Sequence, residues 1–302
     1  MRTTCQLSNW LSPSNGSTKI KISTFLYSRH QPTFDFATAT TGMGSESAVR
    51  LERRKTLLQL ERTVEQLQVP KIDLSELNSF NIAAHPMTLT GNSDSRPSFF
   101  AQSLSLPEPD DELLEREYPT FPRENDPAYK EREPFLRPEN CAMAFCDYLT
   151  AWIFDDCGRM PGPWNSKCVG NYTTYKSLFQ YDETGFGVLY MTDRSGPDYP
   201  HVKAIAYNNV AATDQTILRG ELLLILRLMF TQLRERRFLK HVVAPVLLFS
   251  IVGPQHARII EAIFDGSNLV LRTTKIFDLR YKNVQAWKTL RGIIWAPRWA
   301  IQ

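Results

Sequence analysis

Residues 216–274 read TILRGELLLILRLMFTQLRERRFLKHVVAPVLLFSIVGPQHARIIEAIFDGSNLVLRTT, and this stretch decides the fold. Its first part carries Leu222, Leu223, Ile225, Leu226, Met229, Phe230 and Leu233 around more than half of a helical circumference. A helix apolar over so wide an arc is buried against another layer, so a long helix is expected over Thr216–Lys240, capped by Thr213 or Asp214. Val242–Val252 follows as a continuous apolar run. Together with its length, that pattern predicts a strand buried on both faces. Ala257–Phe264, the turn Asp265-Gly266-Ser267-Asn268 and Leu269–Thr274 then predict a β-hairpin.

Upstream of this block, FGVLYMT at 186–192 and HVKAIAY at 201–207 predict two further strands, with Gly185 and Ser195-Gly196-Pro197 as punctuation. The one-face pattern Ala142, Phe145, Leu149, Trp152, Ile153 predicts a helix over 140–157, with Gly158 placed for a left-handed C-cap. Residues 281–290 predict a short final helix. Helix, strands, long helix, strand and hairpin in that order indicate an α+β domain over residues 140–302, built on one central mixed sheet with helices packed against it.

The preceding residues read differently. Residues 1–44 are rich in Ser, Thr, Pro and Asn without periodicity, and are expected to be disordered. They also hold no acid before Asp35, while Arg2, Lys19, Lys21 and Arg29 are present, a composition shared with mitochondrial targeting segments. Residues 45–69 predict one amphipathic helix with a seam of Leu57, Leu60, Val64 and Leu67, ended by Pro70. That seam serves either docking onto the main domain or a dimer. Residues 70–139 carry ten prolines and an acidic excess; they read as a linker wrapped over the surface.

Charge narrows the function classes only a little. From His201 onward fifteen Lys and Arg face six acids, which makes an anionic partner such as nucleic acid an option. Basic and aromatic residues interleave near the end (Arg280, Tyr281, Lys282, Trp287, Lys288, Arg291, Trp295, Arg298, Trp299). That mixture serves single-stranded nucleic acid in some proteins and simple packing of the rings in most. No apolar run has the length of a membrane span. Five cysteines, Cys5, Cys141, Cys146, Cys157 and Cys168, fit a reducing compartment, and their spacings are wider than the close pairs of structural zinc sites. No P-loop, dinucleotide glycine pattern, serine nucleophile elbow or H-E-x-x-H occurs. The expected setting is therefore intracellular, cytoplasmic or nuclear, with mitochondria as the alternative, and no metal or other cofactor is called for.

Two resemblances add to this. Asp193 ends one predicted strand and His201-Val202-Lys203 opens the next, an order that resembles the core of the PD-(D/E)XK nuclease-like superfamily. The resemblance implies a restriction-endonuclease-like sheet in which Asp193, Lys203 and a further acid such as Glu221 gather around Mg²⁺ or Mn²⁺. His201 occupies the place of the second acid, so the motif is degenerate and a hard cation would be poorly held. The stretch KHVVAPVLLFSIVGPQHARIIEAIFDGSNLVLRTTKIFDL, residues 240–279, resembles a group of uncharacterised proteins from filamentous fungi; that likeness implies an intracellular accessory protein and no particular activity. Gln255, His256 and Arg258 at the hairpin entrance, with Arg237 and Lys240 on the long helix, form a candidate anion or nucleic-acid site; the alternative is ordinary turn polarity. Three functions follow for testing: an accessory protein acting through an unknown protein partner, a nucleic-acid-binding or residual nuclease domain, and a small-molecule enzyme with an unrecognised site.

Overall fold

The structure, a computed structural model, describes residues 46–89, 95–100, 117–122, 126–127, 136–151, 164–167, 169–170 and 174–295. The expectations for residues 1–44 and for Trp299 lie outside the described residues.

Helix α1 (Ala48–Gln66) starts where Ser47 Oγ accepts the Arg50 N–H at 3.3 Å. Strands β1 (Lys71–Asp73) and β2 (Ile82–Pro86) follow, separated by a 3-10 turn at Leu77–Phe80. Helix α2 (Pro138–Ala151) precedes β3 (Trp164–Ser166), β4 (Phe179–Gln180), β5 (Phe186–Arg194), β6 (Val202–Asn208) and β7 (Thr216–Leu218). The long helix α3 (Arg219–Arg234) and a 3-10 turn at Arg236–Phe238 lead into β8 (Val246–Val252). The hairpin β9 (His256–Phe264) and β10 (Leu269–Thr273), the short β11 (Phe277–Asp278) and helix α4 (Val284–Trp295) complete the order.

The main sheet runs β2-β10-β9-β8-β6-β5-β3, with β4 against β5 and β11 against β9. It is mixed: β6 and β8 are parallel, as are β2 and β10, and the remaining pairs are antiparallel. Every residue of β8 is buried, as its unbroken apolar run requires for a strand covered on both faces. One face carries Val202, Ala204, Val246, Leu248, Ile260 and Ala262 beneath α1 and α3. The other carries Ile205, Tyr207, Leu247, Phe249 and Ile259 beneath α2 and α4. The fold is thus α+β, a large mixed sheet with helices on both sides.

Two expectations change. Residues 71–89 are not a surface linker. β1 pairs with β7, β2 extends the sheet edge beside β10, and Ile72, Leu77, Ile82, Met87 and Leu89 are buried. Proline density obscured this, yet Pro86 falls at the last position of an edge strand, where a missing N–H costs little. The long helix is shorter than expected at both ends: Thr216–Leu218 is drawn into the β1 pairing, α3 begins with the Glu221 carboxylate accepting the Leu218 N–H at 2.9 Å, and it stops at Arg234 with a 3-10 turn at Arg236–Phe238 in place of its expected last turns.

The seam of α1 is used within the chain. Leu57 and Val64 are fully buried, Leu60 nearly so, and Leu67 packs beside them against the core under α3. A dimer through these four residues would first have to strip the helix from its own domain. Ion pairs and hydrogen bonds fix the contact: Arg227 Nε and Nη2 lie 2.7 Å from Glu61 Oε1 and Glu65 Oε1, and Arg53 donates to the carbonyls of Val242, Phe264 and Asp265.

Candidate functional site

The two strands that carry Asp193 and Lys203 are neighbours, but the residues do not converge. In the β5–β6 register Asp193 stands opposite Val202, and Thr192 opposite Lys203. Paired residues share a face and successive residues alternate. Asp193 therefore belongs to the α3 face with Val202, and Lys203 to the α4 face with Thr192. Glu221 is on the α3 side but at the far end of β6. It begins a helix whose Gly220 abuts Asn208, six residues along the strand from Val202, or roughly 20 Å at about 3.3 Å per residue. Among the described residues no group of three metal-ligating side chains stands together.

Each of the three has its own partners. The fully buried Asp193 carboxylate takes an ion pair from Arg237 and another from Lys167 Nζ at 3.2 Å. Arg237 also donates to the Arg194 carbonyl at 2.8 Å, and Gln232 Nε2 donates to the Tyr175 hydroxyl at 2.9 Å beside it. Arg237 thus holds β5 to the end of α3. Two cations on one carboxylate leave this cluster ill suited to a divalent metal.

Glu221 and Arg258 form an ion pair with almost no exposure. Arg258 Nε donates to Glu221 Oε1 at 2.8 Å, Nη2 donates to Oε2, and Nη1 donates to the carbonyls of Thr216 at 2.6 Å and Thr213 at 3.3 Å. Glu221 accepts the Leu218 N–H as well, so the pair ties β9 to the start of α3.

These positions also separate the expected anion cluster. Arg258 is buried and engaged, His256 pairs with Asp278 across β9 and β11, and Gln255 accepts the Leu279 N–H through its carbonyl at 2.9 Å. Arg237 and the exposed Lys240 lie at the other end of β8, before Val246, whereas His256 is opposite Val252. The five residues therefore do not form one surface. Of the other cations in the basic last third, Arg219 donates to the carbonyls of Val64 and Glu65, and Arg227, Arg272 and Arg280 make ion pairs with acids of the chain. Trp287 is buried among Tyr118, Phe145 and Tyr148, which is the packing outcome for that ring, whereas Tyr281 is exposed.

On the α4 face the structure assembles a row of polar residues, interrupted by Leu247, that local sequence pattern does not reveal. Thr192, Lys203, Leu247, Glu261, Arg272 and His85 stand in register on β5, β6, β8, β9, β10 and β2. Only strand order could have joined them, since their separation in the chain gives no local signal. A strap, Ser98–Phe100, crosses this row. Its N–H groups donate to the Glu261 carboxylate at 2.9, 2.7 and 3.2 Å. Burial nevertheless outweighs these bonds and raises the Glu261 pKa above the ordinary carboxyl value. Arg272 approaches Glu261 at 3.6 Å and donates to Ser98 Oγ.

At the other end of the row Lys203 is 4% exposed. Its Nζ donates to the carbonyls of Ile293 at 3.2 Å and Ile294 at 2.7 Å in the last turn of α4, and lies 4.0 Å from the centroid of the Trp164 ring. Burial pushes its pKa well below the usual lysine value. His201, two residues away and on the same face, is walled by Phe99, Phe100 and Tyr199. Desolvation by burial, the largest cause, with smaller contributions from the basic side chains nearby, lowers its pKa to about 3.

A scan against protein-family models finds no match for the chain, and comparisons with curated proteins and with solved structures find none either.

Proposed function

We propose that the chain is an intracellular accessory protein that works by engaging a protein partner, and that its nuclease-like positions serve the fold. The observation that supports this most directly is the placement of Asp193 and Lys203 on opposite faces of the sheet, one neutralised by Arg237 and Lys167, the other set on the end of α4. Catalysis by this motif needs carboxylates and lysine around one phosphate and one metal. The engagement of Arg219, Arg227, Arg237, Arg258, Arg272 and Arg280 within the chain weighs against nucleic-acid binding. Among the described residues no helix is long and apolar enough to cross a membrane.

The test uses purified full-length chain and its Asp193→Asn variant with DNA and RNA, in Mg²⁺ and in Mn²⁺, together with binding across about 50–200 mM salt. The expected result is no cleavage that Asp193→Asn removes, and no affinity that falls steeply with salt. Cleavage abolished by Asp193→Asn in a folded variant, or binding with the steep salt dependence of several phosphate contacts, overturns the proposal.

A further inference from the structure

The strap Ser98–Phe100 is bound to the sheet as a docked peptide is, not as a strand. Its three successive N–H groups all donate to one side chain, Glu261, and Arg272 donates to Ser98 Oγ. Among the described residues the carbonyls of the strap accept no hydrogen bond, so no β-ladder joins it to a neighbour. Glu261 is 2% exposed and stands between the apolar pairs Ile259-Ile260 and Ala262-Ile263 of β9, where a carboxylate is tolerated only if donors meet its charge. Without the strap, Arg272 at 3.6 Å would be its sole remaining partner among the described residues. The Phe100 ring is 1% exposed, lies 5.3 Å from the His201 ring edge-on, and has Lys203 Nζ 5.9 Å from its centroid. The site thus selects a run of free backbone N–H groups and an aromatic side chain at the end of that run. Beside the strap a hollow of about 330 Å³ opens between Ser98 and Phe99 and the sheet residues Ile263 and Val270. That volume falls in the range of binding clefts, about 300–1,000 Å³.

We propose that the strap is the resident occupant of a peptide-docking groove on the α4 face. A protein partner engages the chain there by inserting an extended segment, whose aromatic side chain takes the place of Phe100 and whose N–H groups take the Glu261 carboxylate. The proposal rests on the accessory reading above and gives it a surface. The exchange replaces like with like: Glu261 has backbone donors in both states, so neither state strands a buried charge. The hollow admits the incoming segment alongside Phe99 before the strap leaves. Because the strap belongs to the same chain, its effective concentration at the groove is high. It therefore excludes weak peptides and yields to a partner that also fills the hollow against Ile263 and Val270.

The probe is a labelled peptide of residues Ser95–Phe100, acetylated and amidated at its ends, added to the full-length chain and followed by fluorescence anisotropy. In Phe100→Ala the resident strap is weakened, and the peptide is expected to bind at least about tenfold more tightly than to wild type, since apparent affinity scales with the fraction of sites that stand open. Phe99→Pro removes one of the three N–H groups and keeps Phe100; it is expected to act in the same direction and decides the matter if Phe100→Ala does not fold. Adding Glu261→Leu to either variant, or giving the peptide alanine in place of Phe100, is expected to abolish the gain. If the folded variants bind the peptide no more tightly than wild type, or bind it equally well with Glu261→Leu, the proposal is overturned. The accessory reading itself is decided separately, by the cleavage and salt-dependence test with DNA and RNA.

Discussion

Replacing Arg258 by methionine tests the reading of the Glu221–Arg258 pair as structural. The side chain volume is nearly kept, and the guanidinium with its four acceptors (both Glu221 oxygens and the carbonyls of Thr216 and Thr213) is removed. What remains is a Glu221 carboxylate with no exposure, supported by the Leu218 N–H alone among these contacts. Stripping one partner from a buried pair costs about 3–5 kcal/mol, a large share of a typical stability of about 5–15 kcal/mol. Converting both, as Glu221→Leu with Arg258→Met, removes the stranded charge and is expected to recover much of that loss, since apolar replacement of a buried pair is often neutral. Urea unfolding followed by far-UV circular dichroism measures the four proteins of the cycle, with the midpoint falling and the slope unchanged if only stability moves. A single variant that loses less than about 1 kcal/mol, or a cycle whose two changes add without coupling, refutes the argument that this pair ties β9 to the start of α3.

Three further outcomes follow from the same structure. Leu57→Ala, at a fully buried position of α1, is expected to cost about 2–5 kcal/mol in urea unfolding; a change near zero would mean that α1 is not part of the cooperative unit. Gly220→Ala should destabilise despite alanine's helix preference of about 1 kcal/mol, because the added methyl would collide with Asn208 Oδ1 and sit 2.8 Å from Phe186 Cδ1; a stabilised variant contradicts the close approach of α3 to β6. His201 stays neutral in the fold down to about pH 3 but takes a proton near 6.5 when exposed. The unfolded chain therefore binds more protons between these values, and stability falls as pH drops through that window. His201→Gln should flatten this part of the profile of urea midpoint against pH, and an unchanged slope would show that His201 is not buried neutral.

Local pattern revealed the elements of the second half well, because burial there follows simple periodicity. The seven residues of β8 are all buried as their apolar run requires, and β9 and β10 lie within a residue of the expected hairpin. Long-range pairing was not legible. Lys71–Asp73 becomes a strand only because Thr216–Leu218 comes to meet it, and that encounter also trims the long helix. The apolar positions Ile72, Leu77, Ile82, Met87 and Leu89 were the available signal in a segment dominated by its prolines. The polar row from Thr192 to His85 is further from sequence still, since it exists only across six strands whose order is not their order in the chain.

Asp193 and Lys203 lie on opposite faces for a narrow reason, and one residue accounts for it. The β5–β6 register slips between Val188 and Tyr190. Without that slip the pairing begun by Phe186 with Asn208, Gly187 with Tyr207 and Val188 with Ala206 would continue to Asp193 opposite His201. His201 shares the face of Lys203, so an unbulged β5 would put Asp193 with both of them, as the motif demands. Because side chains alternate with period two, one extra residue sends every later side chain of the strand to the other face. Asp193 thereby reaches Arg237, Lys167 and Tyr175 on the α3 side, while Thr192 takes the place beside Lys203. Spacing along the chain records the order Asp, His, Lys faithfully but not the bulge, and the bulge decides which of these groups can meet. The same slip leaves Thr192, rather than Asp193, opposite Lys203 in the β5 register.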